Sequence, residues 1–147
     1  MWVASFATYP RGLDVLGYGF LLPALATLHA RSAPRRASGA VLATLAGLAT
    51  VVSALVGLGW QTLFFLGMWW WTAGKMALET ATLPRVFAQL TMALAALAFV
   101  GTLFAAIGSF AALPLGQAAL AAWTLGLATV FARERGSSSA RAPAPPA

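Results

Sequence analysis

Few side chains in this sequence can do chemistry. In 147 residues there are three acids (Asp14, Glu79 and Glu134), a single histidine (His29) and no cysteine. The missing cysteine removes disulfides, thiolate metal sites and thiol catalysis. Lys75 and Glu79 stand one helical turn apart and can pair on one face, which is the spacing of a gating or ion-coupling pair. The plainer reading is snorkelling, in which both long side chains leave the end of a span and reach the headgroups. A coupled transporter also needs a carboxylate near the bilayer midplane, and all three acids fall at span ends. His29 is of a type that ligates haem, with Met76 at a similar depth or with its own copy in a second subunit. A lone histidine without a spaced partner reads more simply as an interfacial imidazole beside Arg31. Trp69, Trp70 and Trp71 step by about 100° each along a helix and cannot share one face, so some must meet lipid and others a neighbouring helix. With Phe64, Phe65 and Met68 they have the types to line a quinone, carotenoid or lipid site, or to form an aromatic belt with ordinary packing. No phosphate loop, Rossmann fingerprint, zinc signature or serine triad is present. No catalytic residue, metal or bound cofactor is therefore expected.

The elements that must position these groups follow from composition. Apolar residues make up 61% of the chain and charged residues 8%, too few to give a soluble core of this size a polar shell. The expectation is an integral, multi-pass membrane protein. Nine basic residues stand against three acidic ones, but no basic run is interleaved with base-reading side chains, so nucleic acid is not a partner. The bias to Ala, Leu and Arg, with a single Ile and a single Lys, points to a GC-rich and hence bacterial genome.

Charge positions count the spans. Sixteen uncharged residues separate Asp14 from Arg31, 38 separate Arg36 from Lys75, and 47 separate Arg85 from Arg133. As helix these runs are about 24, 57 and 70 Å long, against a hydrocarbon core of roughly 30 Å. They therefore cross once, twice and twice. Gly57 to Gln61 supplies the first reversal, with two glycines and an interfacial Trp60. Gly108 to Gly116 supplies the second, with Pro114 in the first turn of the next helix. Pro84 opens the fourth helix and Pro34 lies in the first loop. Pro23 should kink span one and free the Gly19 carbonyl. The fold expected is an all-α polytopic membrane bundle with spans at about 13–30, 39–57, 61–79, 86–108 and 114–132. Residues 1–12 form an extracytoplasmic segment without the basic n-region of a signal peptide. Residues 133–147 form a disordered tail. An alternative has four spans, with 13–30 lying flat on the inner surface. Asp14 suits the first turn of the first helix, where a carboxylate meets the positive dipole end.

Three segments hold most of the basic residues: Arg31 to Arg36, Lys75 to Arg85, and the tail from Arg133. Five spans put all three on one side, which the positive-inside bias makes cytoplasmic, with the N-terminus outside. Gly17-Tyr18-Gly19 resembles the core of the potassium-channel filter over three residues. No pore helix precedes it and Phe20 stands where an acid is usual, so these glycines read instead as points of close helix approach. Small residues recur at every fourth position: Gly39, Ala43 and Gly47; Ala49, Ser53 and Gly57; Ala98, Thr102 and Ala106; Gly101, Ala105 and Ser109; Ala118, Ala122 and Gly126. They are expected to face other helices.

The functional expectation is a small bacterial inner-membrane protein without a catalytic site, serving as an accessory or packing subunit or as a lipid- or small-ligand-binding bundle. Its partners would be the bilayer, anionic headgroups at the basic cytoplasmic face, and a membrane-protein partner or further copies of itself. A small homo-oligomeric transporter or channel is the alternative, and a membrane haem or quinone protein the second.

Overall fold

The computed structural model describes Tyr18, residues 21–108 and residues 112–139. Among these the secondary structure is all helical, in five helices: α1 (Leu21–Ser32), α2 (Ala37–Val56), α3 (Trp60–Thr80), α4 (Arg85–Ala106) and α5 (Ala112–Ser139). Three are long and apolar enough to cross a membrane: α2, α4 and residues 114–134 of α5. At 21 residues α3 is as long as these, but its tryptophans, Gln61, Lys75 and Glu79 make it less apolar. The described part of α1 has 12 residues. The first half of the expected span at 13–30, Asp14, Gly19 and residues 1–12 lie outside the described residues, apart from Tyr18.

The helices stop where backbone chemistry stops them. At the end of α2, Gly57 takes φ 79°, a left-handed conformation that costs a residue without a Cβ little. Its N–H bonds the Ala54 carbonyl at 3.1 Å, and the Leu58 N–H bonds the Ser53 carbonyl at 2.9 Å. This pair of bonds is a Schellman cap, which satisfies carbonyls that a helix end otherwise leaves open. Pro84 has no N–H to offer the preceding turn and lies just ahead of α4. Pro114 falls in the first turn of α5, and Pro34 in the turn between α1 and α2. One expectation is corrected here: α5 does not end at 132 but continues to Ser139, so the segment from Arg133 begins as helix.

Register along each pair of helices shows an up-and-down bundle. Leu25 packs on Gly47, and His29, one turn later, bonds Thr44, one turn earlier, so α1 and α2 are antiparallel. Gly39 meets Met76 across α2 and α3. Gly67 meets Phe99 while Gly74 meets Met92 and the Ala88 carbonyl, so α3 and α4 are antiparallel. Trp123 bonds Thr91 while Gly126 meets Phe87, so α4 and α5 are antiparallel too. Helix α3 touches all four others and is the axis of the bundle.

The bundle is inside out relative to a soluble protein. Its exterior carries Leu42, Leu45, Val52, Val86, Leu97, Leu103, Ile107, Leu115 and Leu125, all more than half exposed. Soluble monomers do not expose apolar surface on this scale, whereas lipid accepts it. The interior is built of small residues and hydroxyls. On α4 the inward file is Ala88, Thr91, Ala95, Ala98, Thr102 and Ala105, a 3-and-4 spacing that lets α3 come close. The buried hydroxyls of Thr50, Thr91 and Thr102 cost little because each bonds its own helix, to the Ala46, Phe87 and Ala98 carbonyls, whereas that of Ser32 is enclosed without a partner among the described residues.

Of the small-residue files expected to face inward, Ala43 and Gly47 do, with Gly39 partly covered. Of the file on α5 only Gly126 meets a neighbour, Phe87: Ala118 and Ala122 are exposed, and Leu120, Trp123 and Leu127 turn inward instead. Burying one indole removes far more apolar surface than burying two alanines, so Trp123 sets the rotation of the helix. Ala106 and Gly57 likewise face outward, and Ser109 lies outside the described residues.

Candidate functional site

The three tryptophans of α3 divide as their 100° steps require. Trp69 and Trp70 are each 1% exposed, while Trp71 is 44% exposed and faces the surrounding medium. Trp69 meets Trp123 edge to face at 5.0 Å between centroids, and Phe87 lies 5.7 Å from the same indole. Trp123 Nε1 donates to Thr91 Oγ1 at 2.8 Å, closing a polar contact inside the aromatic cluster. The Trp70 indole N–H has no partner among the described residues although the side chain is fully covered. This cluster joins α3, α4 and α5 into a filled core, and sequence reasoning had no signal that Trp123 would complete it.

His29 lies half-buried on α1. Thr44 has one hydroxyl proton and donates it to the Ala40 carbonyl at 2.8 Å, so the 2.8 Å contact with His29 must be donated by the ring Nδ1. His29 and Met76 do line the same cavity, as their shared depth suggested, together with Leu25, Thr44 and Trp69. The cavity measures about 10 Å³. Ligand pockets run to about 300–1,000 Å³, and roughly 10–15 Å³ is what one water needs. The void between His29 and Met76 is thus the size of one water.

Lys75 and Glu79 do not pair with each other. Glu79 forms an ion pair with Arg36 at the start of α2, and Lys75 is exposed, without an ion-pair partner among the described residues. Lys75 and Glu79 stand one turn apart on α3, but a guanidinium from the neighbouring helix competes for the same carboxylate, and Arg grips a carboxylate with more donors than Lys.

What the fold assembles instead is a charged end. Arg31, at the end of α1, donates to Glu134 on α5 at 2.6 Å, and its guanidinium stacks over the Phe131 ring at 4.1 Å. Arg35 reaches back to the Arg31 carbonyl at 3.4 Å. Thr80 donates to the Met76 carbonyl at 2.7 Å and lies 3.1 Å from the Thr82 hydroxyl in the turn between α3 and α4. Between these segments opens a cavity of about 490 Å³ lined by Arg31, Pro34, Arg35, Ala81, Thr82 and Glu134. The three basic segments of the sequence thus converge on one end of the bundle, joined by contacts that span up to 103 residues of chain. Among the described residues no group of three or more His, Cys, Asp or Glu is placed to hold a metal. No family model matches this chain, and neither does any curated protein or solved structure.

Proposed function

We propose that this chain is a five-span bacterial inner-membrane bundle, N-terminus outside and C-terminus in the cytoplasm, that works as an accessory subunit through its surfaces and not through a catalytic centre. The observation that carries this reading is the filled interior. Trp69, Trp70 and Trp123 occupy the middle of the bundle, and the void beside His29 and Met76 has room for about one water. A transporter needs an interior path with ionisable groups along it. Here Glu79 is tied to Arg36 at one end, which speaks against a Lys75–Glu79 coupling pair. The antiparallel register of α1 on α2 supports five spans over four, because a helix lying flat on the surface would meet only one end of α2.

Purification of the full chain from its own membrane in mild detergent, with masses taken of everything retained, tests the reading. A stoichiometric protein partner is expected. Elution of the chain alone at every salt concentration overturns it.

A further inference from the structure

We infer that the cavity at the charged end is a binding site for a phosphate-bearing anion, and that its occupant is the headgroup of an anionic phospholipid. The cavity falls within the size range of small-ligand sites, at about 490 Å³. Its charged lining is Arg31, Arg35 and Glu134, two cations against one anion. Arg31 is engaged by Glu134 and by the Phe131 ring. Arg35 is not engaged in that way. Its guanidinium makes one long bond to a backbone carbonyl and has no carboxylate partner among the described residues. A guanidinium carries five N–H donors in a planar fork that matches two phosphate oxygens, so most of the donors of Arg35 remain to be spent. Arg31 faces Glu134, and Arg35 adds a second cation to the lining.

The surroundings favour a lipid over free phosphate. Exposed Leu78 and Val86 flank the Ala81–Thr82 turn that walls the cavity, and the apolar exterior of α4 continues from there. A headgroup seated between the arginines would leave its acyl chains on apolar surface. Soluble phosphate would gain nothing from that surface.

The site is independent of the accessory-subunit reading. A chain that purifies alone but still retains one lipid sinks that reading and leaves this one standing. The test uses the full chain, delipidated in detergent and titrated with dioleoylphosphatidylglycerol or dioleoylphosphatidylcholine, with bound lipids counted by native mass spectrometry. One phosphatidylglycerol should be retained in preference to phosphatidylcholine. Arg35→Ala should weaken it about fivefold, the equivalent of roughly one basic contact to a headgroup. Arg35→Lys keeps the charge but loses the fork and should fall between the two. Arg85→Ala removes an exposed cation that does not line the cavity and should change nothing. A parallel titration with inorganic phosphate separates the sources. Binding of phosphate that Arg35→Ala weakens, with no preference between the lipids, supports the anion site and overturns the lipid assignment. Equal loss in Arg35→Ala and Arg85→Ala, or no binding of either probe, overturns the site.

Discussion

Two buried indoles on this bundle differ in one hydrogen bond. Trp123 donates to Thr91, whereas the Trp70 N–H is enclosed without an acceptor among the described residues. Replacing either by Phe removes a similar volume, so the cavity costs are comparable. The polar terms have opposite signs. Trp123→Phe gives up a made bond, and Trp70→Phe removes a donor that pays for its own desolvation at about 1–3 kcal/mol. Trp70→Phe should therefore be the milder change by about 1–3 kcal/mol, read as the difference in unfolding midpoints in detergent. Equal losses would mean that the Trp70 N–H finds an acceptor. The Arg31–Glu134 pair is a different case. Both side chains are partly exposed, at 34% and 45%, and a pair so placed contributes roughly 0–1 kcal/mol, so its main effect is to fix where the end of α5 lies. Single residues of this kind were the least legible in the sequence. Trp123 and Thr91 are 32 positions apart, and nothing in either neighbourhood marks the other as its partner.

At the scale of the helix, turn chemistry was legible and rotation was not. The Gly57 to Gly59 reversal, the Pro84 entry and the Pro114 first turn are written in residues whose backbone preferences are strong enough to act alone. Which face of α5 turns inward depends on the partner surface, and the spacing of Ala118 and Ala122 misled because alanines are common enough to recur by chance. Two changes test the packing. At Gly74 an added Cβ would lie 3.0 Å from Met92 Cγ and 3.2 Å from the Ala88 carbonyl oxygen, which is backbone and cannot turn away. Gly74→Ala should cost about 1–3 kcal/mol in thermal unfolding, as overpacking does. At the end of α3 the sign reverses. Ala81 holds φ 51°, a left-handed conformation that L residues adopt at a cost of about 1–2 kcal/mol. Ala81→Gly should raise stability by about 0.5–1 kcal/mol after the added freedom of the unfolded chain is subtracted. A lower melting point for Ala81→Gly would show that the methyl group is held by contacts stronger than the strain.

For the whole molecule, the composition and the long uncharged runs anticipated an all-helical chain with apolar helices, three of which among the described residues are long and apolar enough to cross a membrane. Arg31, Arg36, Glu79 and Glu134 come together because in a series of antiparallel helices every second turn falls at the same end. The chain has no cysteine, so single thiols can report sidedness without background. In intact inverted and right-side-out vesicles, Leu58→Cys and Arg35→Cys should react with an impermeant maleimide from opposite faces, Arg35→Cys from the cytoplasmic one. Reaction of both from one face would remove a crossing between them and with it the proposed orientation.

The Trp-rich axial helix has a consequence for how the protein is made. In the proposed five-span arrangement helix α3 depends on its neighbours to enter lipid, since it is less apolar than α2 or α4 and buries about half its residues against them. While it leaves the ribosome, those neighbours are only partly synthesised. It should therefore be retained at the translocation channel and enter lipid together with α4, whose alanine file covers it. A nascent chain arrested after Thr80 should leave α3 extractable by alkaline carbonate, and one arrested after Ala106 should render it resistant.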